Sequence, residues 1–157
     1  MELIVSKYIH SLTKPRFVVN NDYNSSITNN HQIFIIMRQI ETNMNKAIRS
    51  KKNFSSGNTT VQTSTFFNSK DVYSEESKVF LHGNHIATYD HVNKELSLFD
   101  GGWQSNTTKS RLNALCYELA TGFSVFQKNW EWFVSDFKSK TVKDFTDGIT
   151  VNYNGCF

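Results

Sequence analysis

Lys78-Val79-Phe80-Leu81-His82-Gly83-Asn84-His85-Ile86-Ala87-Thr88-Tyr89 is the stretch on which the fold reading turns. Two β-prone runs flank a glycine and an asparagine. Gly at the first central position with Asn second suits a two-residue type II′ turn, so residues 78–82 and 85–89 are predicted to pair as an antiparallel hairpin. Asp90-His91-Val92-Asn93-Lys94 makes a second turn and feeds a strand at residues 95–99. Upstream, residues 59–67 are rich in Thr, Val and Phe and read as another strand. Residues 70–77 read as a polar connection.

Downstream, Asp100-Gly101-Gly102 ends the strand run and Trp103 follows. Leu112, Leu115, Cys116 and Leu119 recur at the spacing of one helical face, with Thr107 or Thr108 as the N-cap and Gly122 as the stop. Residues 124–127 and 130–134 read as a hairpin across Lys128-Asn129, which sets Trp130, Trp132 and Val134 on one strand face. A last strand is expected around Asp147-Gly148-Ile149. Strands, helix, then strands imply an α+β fold: an antiparallel sheet of about five to seven strands with one packed helix.

The N-terminal part has a different period. Leu3-Ile4-Val5 and Phe17-Val18-Val19 are β-prone runs separated by Pro15, and an Asn-rich loop follows. Ile33, Ile36, Met37, Ile40, Met44, Ala47 and Ile48 then mark the apolar face of a helix over residues 31–50, with Arg38, Glu41, Lys46 and Arg49 on the other side. Lys46, Arg49, Lys51 and Lys52 crowd its exit, where the helix dipole favours cations. Ser55-Ser56-Gly57-Asn58 punctuates the chain. The expected organisation is an arm and amphipathic helix over residues 1–57, a helical N-terminal extension, and a strand-rich domain over 58–157.

Composition narrows the class without naming a function. The chain has 157 residues, 38% of them hydrophobic, so its core must lean on 13 Phe, 6 Tyr and 3 Trp. A formal charge of +3 permits an anionic partner, yet falls short of the coverage of a dedicated nucleic-acid coat. Two cysteines, Cys116 and Cys156, form no disulfide framework and fit a reducing compartment. No apolar run is long enough for a membrane-spanning helix, and the first residues do not read as a secretory signal.

Leu81-His82-Gly83-Asn84-His85-Ile86-Ala87, Gly102-Trp103 and Thr107-Thr108-Lys109-Ser110-Arg111-Leu112-Asn113-Ala114 together resemble a family of small bacteriophage-encoded proteins, notably of marine phages. Gln127-Lys128-Asn129-Trp130-Glu131-Trp132 looks like that family's closing hairpin. The resemblance covers roughly residues 58–150 and implies a phage origin and a shared fold. It implies no mechanism.

The residue pattern with most chemistry is the start of the second helix. Lys109 and Arg111 fall in a first turn that ordinarily repels cations, beside the hydroxyls of Thr107, Thr108 and Ser110. Backbone N–H groups, hydroxyls and two cations make an anion site of the kind that holds phosphate. The structural alternative is that Asp100 or Glu118 neutralises Arg111 and the motif only fixes helix to sheet. His82, His85 and His91 invite a metal reading, but turn-flanking histidines are usually inert, and no metal or cofactor is expected. Cys116 sits on an apolar helix face without a neighbouring base, and no nucleophile, zinc or phosphate-loop motif occurs, so an enzyme is not expected.

The reading is therefore a non-enzymatic phage accessory protein acting by binding in the cytoplasm of the infected bacterial host. Nucleic acid is the expected partner, through Thr107, Thr108, Lys109, Ser110 and Arg111, the Lys46, Arg49, Lys51 and Lys52 cluster, and Lys128, with Trp130 and Trp132 stacking on bases. The alternative is a protein-directed inhibitor of host machinery, such as an anti-defence protein, with a host protein as partner. A small enzyme is third. No membrane role is expected, and self-association is compatible with all three.

Overall fold

The computed structural model describes residues 37–67 and 73–152. The N-terminal arm, the first turns expected of the helix and Cys156 lie outside the described residues. The described residues from Met37 onward cluster as one compact unit.

The order of elements is α1 (Gln39–Arg49), β1 (Phe54–Ser56), β2 (Thr59–Phe67), β3 (Tyr73–Leu81), β4 (Asn84–Asp90), β5 (Glu95–Leu98), α2 (Asn106–Leu119), β6 (Phe123–Lys128), β7 (Glu131–Asp136), β8 (Thr141–Asp144) and β9 (Ile149–Asn152). The α+β class holds. The strands divide between two antiparallel sheets: a six-stranded one in the order β1-β2-β3-β4-β5-β9, and a three-stranded one in the order β6-β7-β8. The tail thus supplies two strands that part company, β8 staying beside β7 and β9 crossing to pair with β5.

Strand β3 shows why the large sheet forms. Glu75, Ser77, Val79 and Leu81 point inward in strict alternation, and Tyr73–Ser77 belongs to the strand, although it read as connection. Polar side chains at the strand's start hide its periodicity; cross-strand pairing with β2 and β4 supplies what local composition does not. Val61, Val79, Ala87, Leu98 and Ile149 line one cross-strand row of the inner face. Helix α1 lies against this face at β2, and α2 at β4 and β5. The β6–β8 sheet closes on α2, where Val125, Trp132 and Val134 join Leu112, Leu115, Cys116 and Leu119 in one core.

Three local expectations change. The β3–β4 turn has His82 (φ 52°) and Gly83 (φ 82°) at its centre, so Leu81 pairs with Asn84 and Phe80 with His85. That is the I′ pattern instead of II′. The shift is held by His82, whose N–H donates to the Asn58 carbonyl at 2.7 Å, and by a bulge between Val79 and Phe80 that buries both Ile86 and Ala87. Second, α2 is capped by Ser105, whose Oγ accepts from Thr108 N–H at 3.0 Å, instead of by Thr107 or Thr108 as expected. Third, Trp130 sits in the β6–β7 turn, after Asn129, and both have positive φ (49° and 70°).

The expected boundary at residues 55–58 is also corrected. Helix α1 is part of the domain: Met44 and Ile48 are fully buried, and Asn45 Nδ2 donates to the Ala114 carbonyl of α2 at 3.0 Å. Glu41, expected on the solvent side, is buried. A carboxylate on the inner face is tolerated because a cation meets it there.

Candidate functional site

The cationic helix start folds into the interior. Arg111 is 3% exposed; its Nη1 lies 2.7 Å from Glu41 Oε1, and its Nε donates to Thr59 Oγ1 at 3.1 Å. Ser110 Oγ donates to the same Glu41 oxygen at 2.7 Å, and Thr108 Oγ1 donates to the Trp103 carbonyl at 2.9 Å. Lys109 reaches Gln127 Oε1 at 3.4 Å. Thr107 is half-buried. Neither Asp100 nor Glu118 is the counter-ion of Arg111. The first turn of α2 carries no acid of its own, and Glu41 supplies the negative charge from α1. Arg111 and Ser110 are thus spent on holding α1, α2 and β2 together and Thr108 on capping α2, and the expected phosphate clamp is not presented to solvent.

The other basic cluster is arranged differently. Helix α1 ends at a C-cap in which Lys51 N–H donates to the Ile48 carbonyl at 3.0 Å and Lys52 N–H to the Ala47 carbonyl at 2.9 Å. Lys51 takes the left-handed conformation (φ 55°) that glycine usually supplies there. The resulting turn carries Lys51 to β3, where its Nζ pairs with Glu75, while Arg49 pairs with Glu118 of α2. Lys46 and Lys52 remain exposed.

Arg49, Lys51 and Glu118 line one side of a groove of about 450 Å³. The β4–β5 turn forms the facing wall with Asn93 and Lys94, and Asn152 comes from β9. That turn is held by Asp90, whose Oδ1 accepts from the N–H groups of Val92 (2.7 Å) and Asn93 (2.9 Å). Lys94 is the second lysine of the groove in the left-handed region (φ 59°). A lysine held there is less comfortable than Asn or Gly, and such strain concentrates at sites of function.

The floor is built from Tyr89, His91 and Leu119, all buried. His91 N–H donates to the Glu75 carbonyl at 2.9 Å. Its Nε2 lies 2.8 Å from Ser77 Oγ, which lies 2.7 Å from Thr63 Oγ1, and its ring meets Tyr89 edge-on at 5.0 Å. Burial pushes the His91 imidazole below its usual range, so it is neutral at physiological pH. The hydrogen bond from Lys51 holds the Glu75 carboxyl below the usual carboxylate range, and Glu75 in turn raises Lys51. The groove is therefore lined by Arg49 paired with Glu118, Lys51 paired with Glu75, and Lys94, above the buried Tyr89, His91 and Leu119.

The remaining predicted residues lie elsewhere in the fold. Trp132 is buried, edge-on to Phe145 at 5.5 Å, whereas Trp130 is 90% exposed at its turn. The two do not share a face, because only Trp132 is in the strand, so the expected stacking pair does not form. Lys128 ends β6 opposite Glu131. His82 lies against Asn58 Nδ2 at 3.2 Å, and the His85 ring packs on Phe99 at 4.5 Å. Among the described residues no three His, Cys, Asp or Glu side chains converge on a point suited to a metal ion.

Sequence reasoning missed Asn93, Lys94, Tyr89, Leu119 and Asn152 as neighbours of Arg49 and Lys51. The only local signal was the turn at residues 90–94, and nothing in its composition says which helix end it faces.

The family model described as Kyanoviridae Gp96 protein matches residues 37–152. The match begins just ahead of α1 and takes in both sheets, so α1 is a shared element and not an addition to a domain starting near residue 58. No curated protein and no solved structure matches the chain.

Proposed function

This chain belongs to the Kyanoviridae Gp96 family of phage proteins, and on that premise we propose that it is a non-enzymatic accessory protein that binds nucleic acid inside the infected host. The observation that carries the reading is the convergence of Arg49, Lys51 and Lys94 on one groove, where three cations meet one lining carboxylate, Glu118, and Glu75 behind Lys51. Cations gathered on a concave surface attract phosphates more strongly than the same charges scattered, and they do so by releasing counterions. Lys46 and Lys52 extend the basic field at the end of α1. Binding is favoured over catalysis because the candidate nucleophiles are inaccessible. Ser77, beside His91, is fully buried, and burial pushes the Cys116 thiol up to about 12.

The test is fluorescence anisotropy with labelled single- and double-stranded oligonucleotides between about 50 and 200 mM salt. Wild type is compared with an Arg49→Gln/Lys94→Asn double variant. Expected is salt-sensitive binding that weakens in the variant, with the slope of log affinity against log salt falling by roughly 1 per lost phosphate contact. Binding that is absent at the lower salt concentration, or unchanged in the variant, overturns the reading.

A second reading, a protein-directed inhibitor of host machinery, is favoured by Trp130. An indole 90% exposed, at a positive-φ position where glycine is ordinary, suits an anchor for a partner's pocket. Its test is capture of one host protein by wild type and loss of that capture on Trp130→Ala.

A further inference from the structure

A phosphate backbone crossing a basic surface needs only the cations. This groove has more: a buried floor of Tyr89, His91 and Leu119 is lined at its exposed edge by Lys94 and by Arg49, which pairs with Glu118 of the same lining. A flat ring offers such a floor the surface it can cover, through stacking on aromatic faces and apolar contact. An anionic group on the same molecule would reach the rim. The amide of Asn93 stands at the mouth and is oriented by its 2.8 Å bond to Asp90 Oδ2. Such a fixed amide suits the hydrogen-bonding edge of a base. The volume, about 450 Å³, falls within the roughly 300–1,000 Å³ of small-molecule sites.

From this we infer that the groove is a pocket for a single nucleoside phosphate, with the base over the Tyr89 and Leu119 floor and the phosphate against Lys94 and against Arg49, whose guanidinium also holds Glu118. The inference deepens the nucleic-acid reading and rests on it: the same chemistry reaches the pocket as a free nucleotide or as one unpaired nucleotide of a single strand. A paired base, covered on its edge and both faces, does not fit the arrangement. A pocket that takes one unpaired nucleotide makes the protein a reader of single strands or a sink for small nucleotides.

Titration calorimetry of the full chain tests it with the four nucleoside 5′-monophosphates, ribose 5-phosphate, inorganic phosphate and a single-stranded oligonucleotide. Ring proton shifts of Tyr89 and His91 report where each ligand sits. At least one monophosphate is expected to bind about tenfold or more tighter than ribose 5-phosphate and inorganic phosphate, shifting both rings. Lys94→Asn is expected to weaken that binding by about tenfold. Asn tolerates the left-handed backbone of position 94 at least as well as Lys, so the loss cannot come from unfolding.

Equal affinity for all three phosphates overturns the pocket inference and leaves a simple anion site. Salt-sensitive oligonucleotide binding with no monophosphate binding also overturns it, while the nucleic-acid reading stands. Monophosphate binding without oligonucleotide binding supports the pocket for free nucleotides and overturns the polymer as partner. No binding of either class overturns both.

Discussion

Glu41 and Arg111, seventy positions apart, meet inside the protein with 2.7 Å between carboxylate and guanidinium, and each is under 5% exposed. The pair joins the first turn of α1 to the second turn of α2, and Arg111 also reaches Thr59 on β2. Removing one partner strands a charge in a dry interior. Glu41→Ala is expected to cost about 3–5 kcal/mol in urea unfolding, and Glu41→Ala/Arg111→Met to recover much of it. Loss of only a few tenths in the single variant would show the pair to be solvated and unimportant.

The pH dependence follows from His91. Its folded-state value lies below the unfolded one, about 6.5, because burial disfavours the cation, although Glu75 and Asp90 oppose this while Lys51 and Lys94 reinforce it. The unfolded chain therefore binds more protons as pH falls below about 6.5, and stability drops with falling pH from there to the folded value. His85 acts in the same direction, also through burial. Unfolding midpoints measured from about pH 7.5 to 5 should fall, and His91→Gln should shallow the slope. Glu75 and Asp90, with depressed values, lose their contribution only in the carboxylate range below that window. A flat profile between about pH 7 and 5.5 would refute the assignment.

Trp130 occupies a backbone conformation that glycine adopts without penalty. Trp130→Gly should raise stability by about 1 kcal/mol, since the left-handed region costs an L-residue roughly 1–2 kcal/mol and glycine gives part of that back in entropy. Nucleotide binding should not change. If the variant is less stable, the indole packs on the surface in solution and is no anchor.

Cys116 is fully buried, with its thiol pushed up to about 12. In a Cys156→Ser background, alkylation by iodoacetamide at neutral pH should proceed only through unfolding, so its rate should track urea concentration. Fast labelling in native buffer would mean that the α2 core opens locally.

What a local pattern can carry was legible. Alternation at Val79 and Leu81 gave strand β3, and 3–4 spacing at Leu112, Leu115, Cys116 and Leu119 gave the inner face of α2. The basic exit of α1 at Arg49 and Lys51 was also visible, because dipole and charge act within one turn. The start of α2 was misread for the complementary reason. Lys109 and Arg111 look like an exposed cationic turn until Glu41 is brought against Arg111 and Gln127 against Lys109.

Sequence by itself determined that this chain is α+β and that cations gather at one helix end. These follow from side-chain period and sign, which each residue carries wherever it goes. The aromatic-led interior expected from composition is corrected: among the described residues the core is mainly aliphatic, with Tyr89, Phe123, Phe126 and Trp132 as its buried aromatics. Tertiary structure alone decided which cations are spent on the fold and which face solvent, the split into two sheets, and the meeting of Lys94 with Arg49 and Lys51 across the groove. Those outcomes depend on the register of β3 on β4 and on the docking of α1 against α2, and long-range pairings leave no mark in the spacing of neighbouring residues.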